Sequence, residues 1–518
     1  MIASADSIGT LGELSAHHAQ TRGARRAFVY EGRVTTYAEF DRNANQVAHG
    51  LIREGLTRAA RVAYLGKNSD RFFELVFGCA KSATVLVGIN WRLSVAEIAF
   101  ILNDSGAQIL FVGTEFADLA SAVKEQVPRL RRIICMGDGQ PWESFARWRE
   151  QGASDAPDVA VSESDAAIQM YTSGTTGQPK GVQLAHRSFF VMMRYPRNAD
   201  MQFDEWSEDD VNLVAMPSFH IGGVGWGIAG MRPGACNVVL REFDPGAVLR
   251  MIGQYGITKL FLVPTAMRMV IQQPESRQTD YSSLKFITYA ASPIPLDLLR
   301  EAIDVFGCGF VQLYGMTETT GGATYLPPQD HDVNGNERMR SAGKAFPGVS
   351  LKVVDREGRE VAARVLGEIC IRSPANMIGY WNLPEETCRT LVDGYVHSGD
   401  IGYLDEDGYV YVVDRAKDLI ISGAENVCPA DVETAMQSHP AVADVAVIGV
   451  PDARWGEAVK AIVVLRAGAK ATAQELIAHC RSRIAGFKLP KSVDFVPDLP
   501  RNASGKVLKR ELRKRYAS

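Results

Sequence analysis

TYAEFDRNANQVAHGLIREG (residues 36–55), RVAYLG (61–66) and RFFELVFGCAKSATVLVGIN (71–90) decide the fold class. The first places apolar residues at three- and four-residue spacing, as an amphipathic helix requires. The second is a short apolar run that reads as a buried strand. The third repeats the helix-then-strand unit. Such alternation predicts crossover units and a largely parallel sheet covered by helices. Residues 209–312 keep the same rhythm, with VNLVAM, CNVVL, KLFLV and KFITYA as strands and FDPGAVLRMIGQYG and LDLLREAIDVFG as helices.

After about residue 327 the texture changes. SLKVVDREGREV, GEICIRS and IGYLDEDGYVYVVD read as short strands broken by Glu-Gly and Asp-Gly turns, which predicts a small antiparallel barrel or sandwich. Beyond Asp414 comes helix PADVETAMQSHP, strands ADVAVIGV and KAIVVL, helix AQELIAHCRSRIA and a basic end, together a small α+β domain. Residues 150–163 are polar, with Gly and Pro, and read as a surface connection.

The chain has 518 residues, 46% apolar and 22% charged, close to the average of soluble globular proteins. Fifty-six Lys and Arg stand against 60 Asp and Glu, a net charge of −4, which gives no basis for a nucleic-acid partner. No run of about 18 apolar residues predicts a transmembrane segment, and the N-terminus does not have the basic-then-apolar order of a signal peptide. The eight cysteines are scattered without a C-x-x-C pair, so a cytoplasmic protein with reduced thiols is expected.

YTSGTTGQPKG (residues 171–181) carries the strongest local chemistry. It follows the apolar AAIQM, read as a strand. Gly174 and Gly177 permit close approach of backbone N–H groups to an anion. Thr172, Ser173, Thr175 and Thr176 supply hydroxyls, and Lys180 a positive charge. The loop suits nucleotide phosphates, although composition alone leaves a Ser/Thr/Gly surface loop equally open. It departs from the ordinary P-loop, because Gln178 and Pro179 precede the lysine and Gly181 follows it. GGVGWG (222–227) fails the dinucleotide pattern, which needs glycine at Ile228.

Taken whole, YTSGTTGQPKG resembles the signature of the adenylate-forming superfamily of acyl- and aryl-CoA synthetases, luciferases and peptide-synthetase adenylation domains. FHIGG at Phe219, YGMTE at Tyr314, SGD at Ser398, DRAKDLIISGAENVCPADVE at Asp414 and PRNASGK at Pro500 follow in the family's order. The resemblance spans essentially the whole chain. It implies an α/β fold with a large N-terminal domain of α/β sheet subdomains (residues 1–416), which includes a small β-barrel at about 328–414. A small mobile α+β C-terminal domain (417–518) follows.

The implied reaction has two steps. A carboxylate attacks the α-phosphate of ATP to give an acyl-adenylate and pyrophosphate. The thiol of coenzyme A then attacks the acyl carbon and releases AMP. The resemblance assigns phosphate binding to Thr172, Ser173, Gly174, Thr175, Thr176, Gly177 and Lys180. Ala291, Ser292 and Pro293 would line the adenine, with Tyr314, Gly315, Met316 and Val412 also at the nucleotide. Thr317 would touch the α-phosphate, Glu318 hold Mg²⁺, Asp400 accept from the ribose hydroxyls, and Arg415 reach the ribose or phosphate. Lys506 would be the catalytic lysine of the first step. A solvated lysine is the alternative, since seven of the fifteen residues from 501 to 515 are basic.

By the same resemblance Lys417 is the pivot of domain rotation. Ser422, Gly423, Ala424 and Glu425 line the pantetheine tunnel. Trp455 would pack on coenzyme A, with plain packing as its alternative, and Lys491 would lie near the nucleotide end of coenzyme A. The acyl pocket is expected among His220, Gly222, Gly223, Trp226, Ala290, Ala291, Gly315 and Met316. His220 would swing as the thiol tunnel opens, and the two glycines would leave room near the carboxylate. Ala290 stands where relatives have glycine, and its extra methyl would narrow the pocket. The lining is apolar, which favours a fatty or aryl acid over an amino acid. The partners are thus a small carboxylic acid, ATP and coenzyme A, with a homodimer an open expectation. The rival readings are a ligase that loads a carrier protein, a luciferase-like oxygenase and a catalytically dead binding protein. Intact Lys180, Glu318, Asp400 and Lys506 weigh against the last.

Overall fold

The computed structural model describes all residues except 1–7, 139–140, 174–177, 293, 416–417, 419, 423–424, 453–454, 482, 502–506 and 517–518. The chain forms two compact units, Met1–Ser350 with Ile371–Val396 and Leu351–Cys370 with His397–Ser518.

The first unit is built on two sheets. The predicted strands Val211–Val214, Cys236–Val239, Lys259–Leu262 and Phe286–Tyr289 lie parallel in one of them, and Gly309–Met316 extends it. The antiparallel strand Gly321–Leu326 follows at that side. In the other sheet Arg61–Leu65 is parallel to both Val85–Ile89 and Ile109–Val112. The sequence determines the ends of the covering helices. Thr36 caps helix Tyr37–Arg53 through a reciprocal box with Glu39. Asp244 caps Pro245–Tyr255, whose first residue is proline and which Gly256 closes at φ +61°. Phe28, Phe40, Phe72, Phe73 and Phe77 are fully buried between elements. Each contributes about 1.5–3 kcal/mol by leaving water.

AAIQM is a strand, as expected, and forms the first five residues of Ala166–Ser173, which pairs antiparallel with Pro179–Ala185. The hydroxyl-rich segment thus lies between two antiparallel strands. GGVGWG, which fails the dinucleotide pattern, lies inside the helix Ile221–Met231. Glycine lowers helix propensity by about 1 kcal/mol each, so packing must hold this helix. A Cβ on Gly223 would stand 2.2 Å from the Pro217 carbonyl oxygen, on Gly227 2.4 Å from the Phe73 ring, and on Gly230 2.5 Å from Asn237 Oδ1. The three are at helical spacing and let the helix lie directly against its neighbours.

Gly367–Arg372, Tyr395–Leu404 and Val410–Arg415, where the sequence predicts short strands, belong to a five-stranded sheet. A further sheet holds Ile420–Ser422, Glu425–Val427, Val442–Asp452, Gly456–Leu465 and Ser492–Phe495. Helices Pro429–Gln437 and Ala473–Arg481 are as the sequence predicts, and the basic end folds as a further helix, Lys509–Tyr516. Among the described residues no helix is long and apolar enough to cross a membrane.

Candidate active site

In the first unit the hairpin register sets Thr172 directly opposite Lys180. Gly174, Thr175, Thr176 and Gly177 lie outside the described residues, as do Pro293, Lys417, Gly423, Ala424 and Lys506. Lys180 is buried and forms an ion pair with Glu386. Its ammonium stands 5.1 Å from the centroid of the Tyr380 ring, within cation–π range. The Tyr380 hydroxyl donates to Glu318 Oε1 at 2.8 Å. Burial and the Glu318 charge push the Tyr380 phenol far up, so it remains a donor. Lys180 and Glu318, 138 residues apart in sequence, thus both meet Tyr380, and Thr172 joins them through its place opposite Lys180. Sequence reading missed Tyr380 and Glu386, because nothing in GYWNLPEE marks a site without the strand pairing Tyr380↔Val182.

Tyr314, Gly315 and Met316 end the strand Gly309–Met316, and Thr317–Thr319 is a single 3₁₀ turn. Gly315 has no space for a side chain, since a Cβ would stand 1.9 Å from the Gly321 carbonyl oxygen. Thr319 Oγ1 accepts from the Met316 N–H at 3.0 Å and donates to the Gly321 carbonyl at 2.8 Å. Thr320 follows at φ +57°, and Ala291 of the expected adenine turn at φ +76°. Such conformations cost about 1–3 kcal/mol in non-glycine residues and concentrate at functional sites. Ser292 is half-buried, and Ala290 packs against the core of the first sheet.

His220 sits at the start of helix Ile221–Met231, with its ring 4.6 Å from that of Phe219. Burial, with Arg92 nearby, lowers its pKa to about 4, so it is neutral near pH 7. Buried Asn68 fixes the loop before it. Its Nδ2 donates to the Met216 and Leu240 carbonyls at 3.1 and 3.0 Å, and its Oδ1 accepts from the Ser218 N–H at 2.8 Å. Asn68 is a third residue that sequence reading missed. The space assigned to Gly222 and Gly223 is already filled, by the Phe261 ring at 2.8 Å and by the Pro217 carbonyl. Trp226, one turn beyond Gly222, is half-buried, with its ring 5.8 Å from Phe261 and 5.2 Å from Trp206.

In the second unit Asp400 is buried and pairs across its ladder with Arg415, while Val412 faces Gly402. The strand just before Asp400 is tied at three points. Ser398 Oγ donates to the Ile369 carbonyl at 2.6 Å and accepts from the Asp400 N–H at 3.0 Å. Gly399, at φ +69°, donates its N–H to Glu368 Oε1 at 2.9 Å. Ser422 pairs with both Glu425 and Gly456, and Trp455 immediately precedes Gly456 at the start of that strand. Trp455 is 38% exposed, and the Lys491 ammonium stands 6.0 Å from its ring centroid. The expected coenzyme A residues Ser422, Glu425, Trp455 and Lys491 are therefore neighbours, with an exposed aromatic face and a cation together.

The family model described as AMP-binding enzyme matches residues 15–381, and that of the AMP-binding enzyme C-terminal domain matches residues 431–506. Among curated proteins, the chain is 42% identical over 510 residues to the fatty acid–[acyl-carrier-protein] ligase ScoC of Streptomyces coeruleorubidus, covering 98% of this chain and 97% of that protein. It is 38% identical over 508 residues to a feruloyl-CoA synthase of Amycolatopsis sp, covering 98% and 99%. Among solved structures, ATP-bound MatB from Rhodopseudomonas palustris superposes with a TM-score of 0.88 at 29% identity, covering 98% of this chain and 99% of that one.

Proposed function

As the chain belongs to the AMP-binding enzyme family, we propose that it is an AMP-forming ligase that joins an apolar fatty or aryl carboxylic acid to coenzyme A. The convergence of Thr172, Lys180 and Glu318 through Tyr380 is the observation that supports this reading most. A carboxylate is a poor acyl donor, since its leaving group would be oxide. Transfer to the α-phosphate of ATP replaces oxide with AMP. That step brings two anions together, so it requires concentrated positive charge.

Residues 172–180 hold the outer phosphates, with Lys180 as their fixed cation. Thr317 orients the α-phosphate. Glu318 fits a hard divalent cation, because Tyr380 occupies one carboxylate oxygen and no described residue bonds the other. Mg²⁺ bound there would supply charge neutralisation between the phosphates. Asp400 and Arg415 take the ribose, and Ala291 with Ser292 flank the base. Lys506 serves adenylation. A rotation at Lys417 then exchanges it for Ser422–Glu425, with Trp455 and Lys491 receiving the nucleotide end of coenzyme A. The reaction belongs in the cytoplasm, in keeping with eight unpaired cysteines. Pyrophosphate release with ATP, Mg²⁺ and a panel of acids tests the first step, and no release with any acid overturns the reading.

The similarity to ScoC favours a second reading, transfer to a carrier protein. Mass analysis of the thioester formed with coenzyme A, or with a phosphopantetheinylated carrier protein, separates the two.

Trp226 supplies a size prediction. Its indole beside Phe261 closes volume that a long chain would occupy, and each methylene left unburied forfeits about 0.8 kcal/mol. Trp226→Gly is expected to raise kcat/KM for longer acids relative to shorter ones. An unchanged chain-length ranking in a folded variant refutes the gate. It would leave Trp226 as a core residue whose truncation costs about 3–5 kcal/mol.

A further inference from the structure

Glu386 lies in the first turn of the helix Pro384–Thr390 and meets two cations there. Its Oε1 meets the Lys180 ammonium, its Oε2 stands 3.5 Å from Arg389 Nη1, and the helix start is fixed by Thr387. Thr387 Oγ1 accepts from the Tyr380 N–H at 2.9 Å and donates to the Leu383 carbonyl at 2.9 Å. The Lys180 and Glu386 side chains are only 10% and 22% exposed. Lys180 holds Glu386 below the usual carboxylate range, so the carboxylate stays charged near neutral pH. An anion thus already occupies the lysine that the polyphosphate needs.

We infer that Glu386 is an internal competitor for Lys180, which ATP must displace and which retakes the lysine as pyrophosphate leaves. The inference rests on the ligase reading for the role of Lys180. A single carboxylate matches the charge of the lysine but not the multiple charges of a magnesium polyphosphate, so the nucleotide still binds. What the pair changes is the margin. Part of the Lys180–phosphate attraction is spent on breaking Lys180–Glu386. When pyrophosphate departs, the carboxylate covers the ammonium at once, which lowers the barrier to release. Glu386 is in this sense a positioning residue that acts through Lys180.

The test is direct binding of magnesium pyrophosphate and magnesium ATP to the full chain without any acid, measured by calorimetry. Glu386→Gln keeps the shape and removes the charge, and is expected to tighten pyrophosphate binding about five- to tenfold. It should slow pyrophosphate release by a similar factor and lower the KM for ATP. Glu385→Gln removes the same charge one residue away, where the side chain is 89% exposed, and is expected to leave both affinities unchanged. Structural damage does not tighten binding, so a gain in Glu386→Gln alone identifies the competitor role. Unchanged or weaker binding in Glu386→Gln overturns the inference and leaves the ligase reading intact. An equal gain in Glu385→Gln also overturns it, since net charge would then explain the effect. A wild-type chain that binds neither ligand overturns both readings.

Discussion

In Lys506→Ala, formation of the acyl-adenylate is expected to fall by about 10²–10³, the usual cost of losing one charge contact made in the transition state. Thioester formation from chemically supplied acyl-adenylate should survive. The asymmetry follows from the chemistry of the two steps. Adenylation creates negative charge between two anions, and a lysine there offsets it. Thiolation starts from a neutral acyl carbon with AMP as leaving group, and needs no cation at that position. Lys506 itself is outside the described residues, but its frame is not. Arg501 pairs with Val507, and the Leu508 N–H reaches the Pro500 carbonyl at 2.7 Å. The substitution therefore sits beside an anchored foot and should not unfold the unit. Pyrophosphate exchange reads the first half-reaction and coenzyme A acylation the second. Equal losses in both would mean that the two steps share one arrangement of Lys506.

Acid should destabilise the first unit well before its carboxylates protonate. Burial lowers the pKa of His18, His186, His220 and His331 to about 4 in each case. The hydrogen bonds of His331 suit the neutral ring. His331 Nδ1 donates to the Pro327 carbonyl at 2.9 Å and Nε2 accepts from the Tyr289 hydroxyl at 3.0 Å, a tautomer assigned from these partners. An unfolded histidine titrates near 6.5. As pH falls from 6.5 towards 4, the unfolded chain takes up protons that the folded unit refuses, so stability is complete above 6.5 and drains below it. At pH 5 each such histidine costs up to about 2 kcal/mol. For four, the thermal midpoint should drop by about 10 °C or more between pH 7 and pH 5. His186→Gln should remove about a quarter of that dependence. A midpoint that stays level over this range would show that these rings accept protons in place.

The alternating helices and strands were legible because their apolar periods differ and their ends carry caps such as Thr36 and Asp244. The phosphate loop and the motifs at Tyr314 and Ser398 were legible because short motifs keep their residues adjacent. Tyr380, Glu386, Asn68 and Glu368 were not, since each acts on a partner distant in sequence. Glu386 meets Lys180 only because Gly379–Tyr380 pairs with Pro179–Ala185. Glycine was the other source of error. At residues 222–230 its usual meaning, a turn or an anion cradle, gave way to close packing of a helix.

That helix also limits how the enzyme can diversify. Positions 223, 227 and 230 admit no side chain without moving backbone or core groups, so mutation there is closed to natural drift and to library design alike. Gly225 meets only the flexible end of Ile221, at 3.2 Å, and Gly222 and Trp226 both border the Phe261 ring. Of residues 222–230, the positions most open to a changed side chain are therefore 225 and 226, whereas a Cβ on Gly222 would stand 2.8 Å from the Phe261 ring. Relatives that accept different acids are expected to vary there while repeating the glycines at 223, 227 and 230.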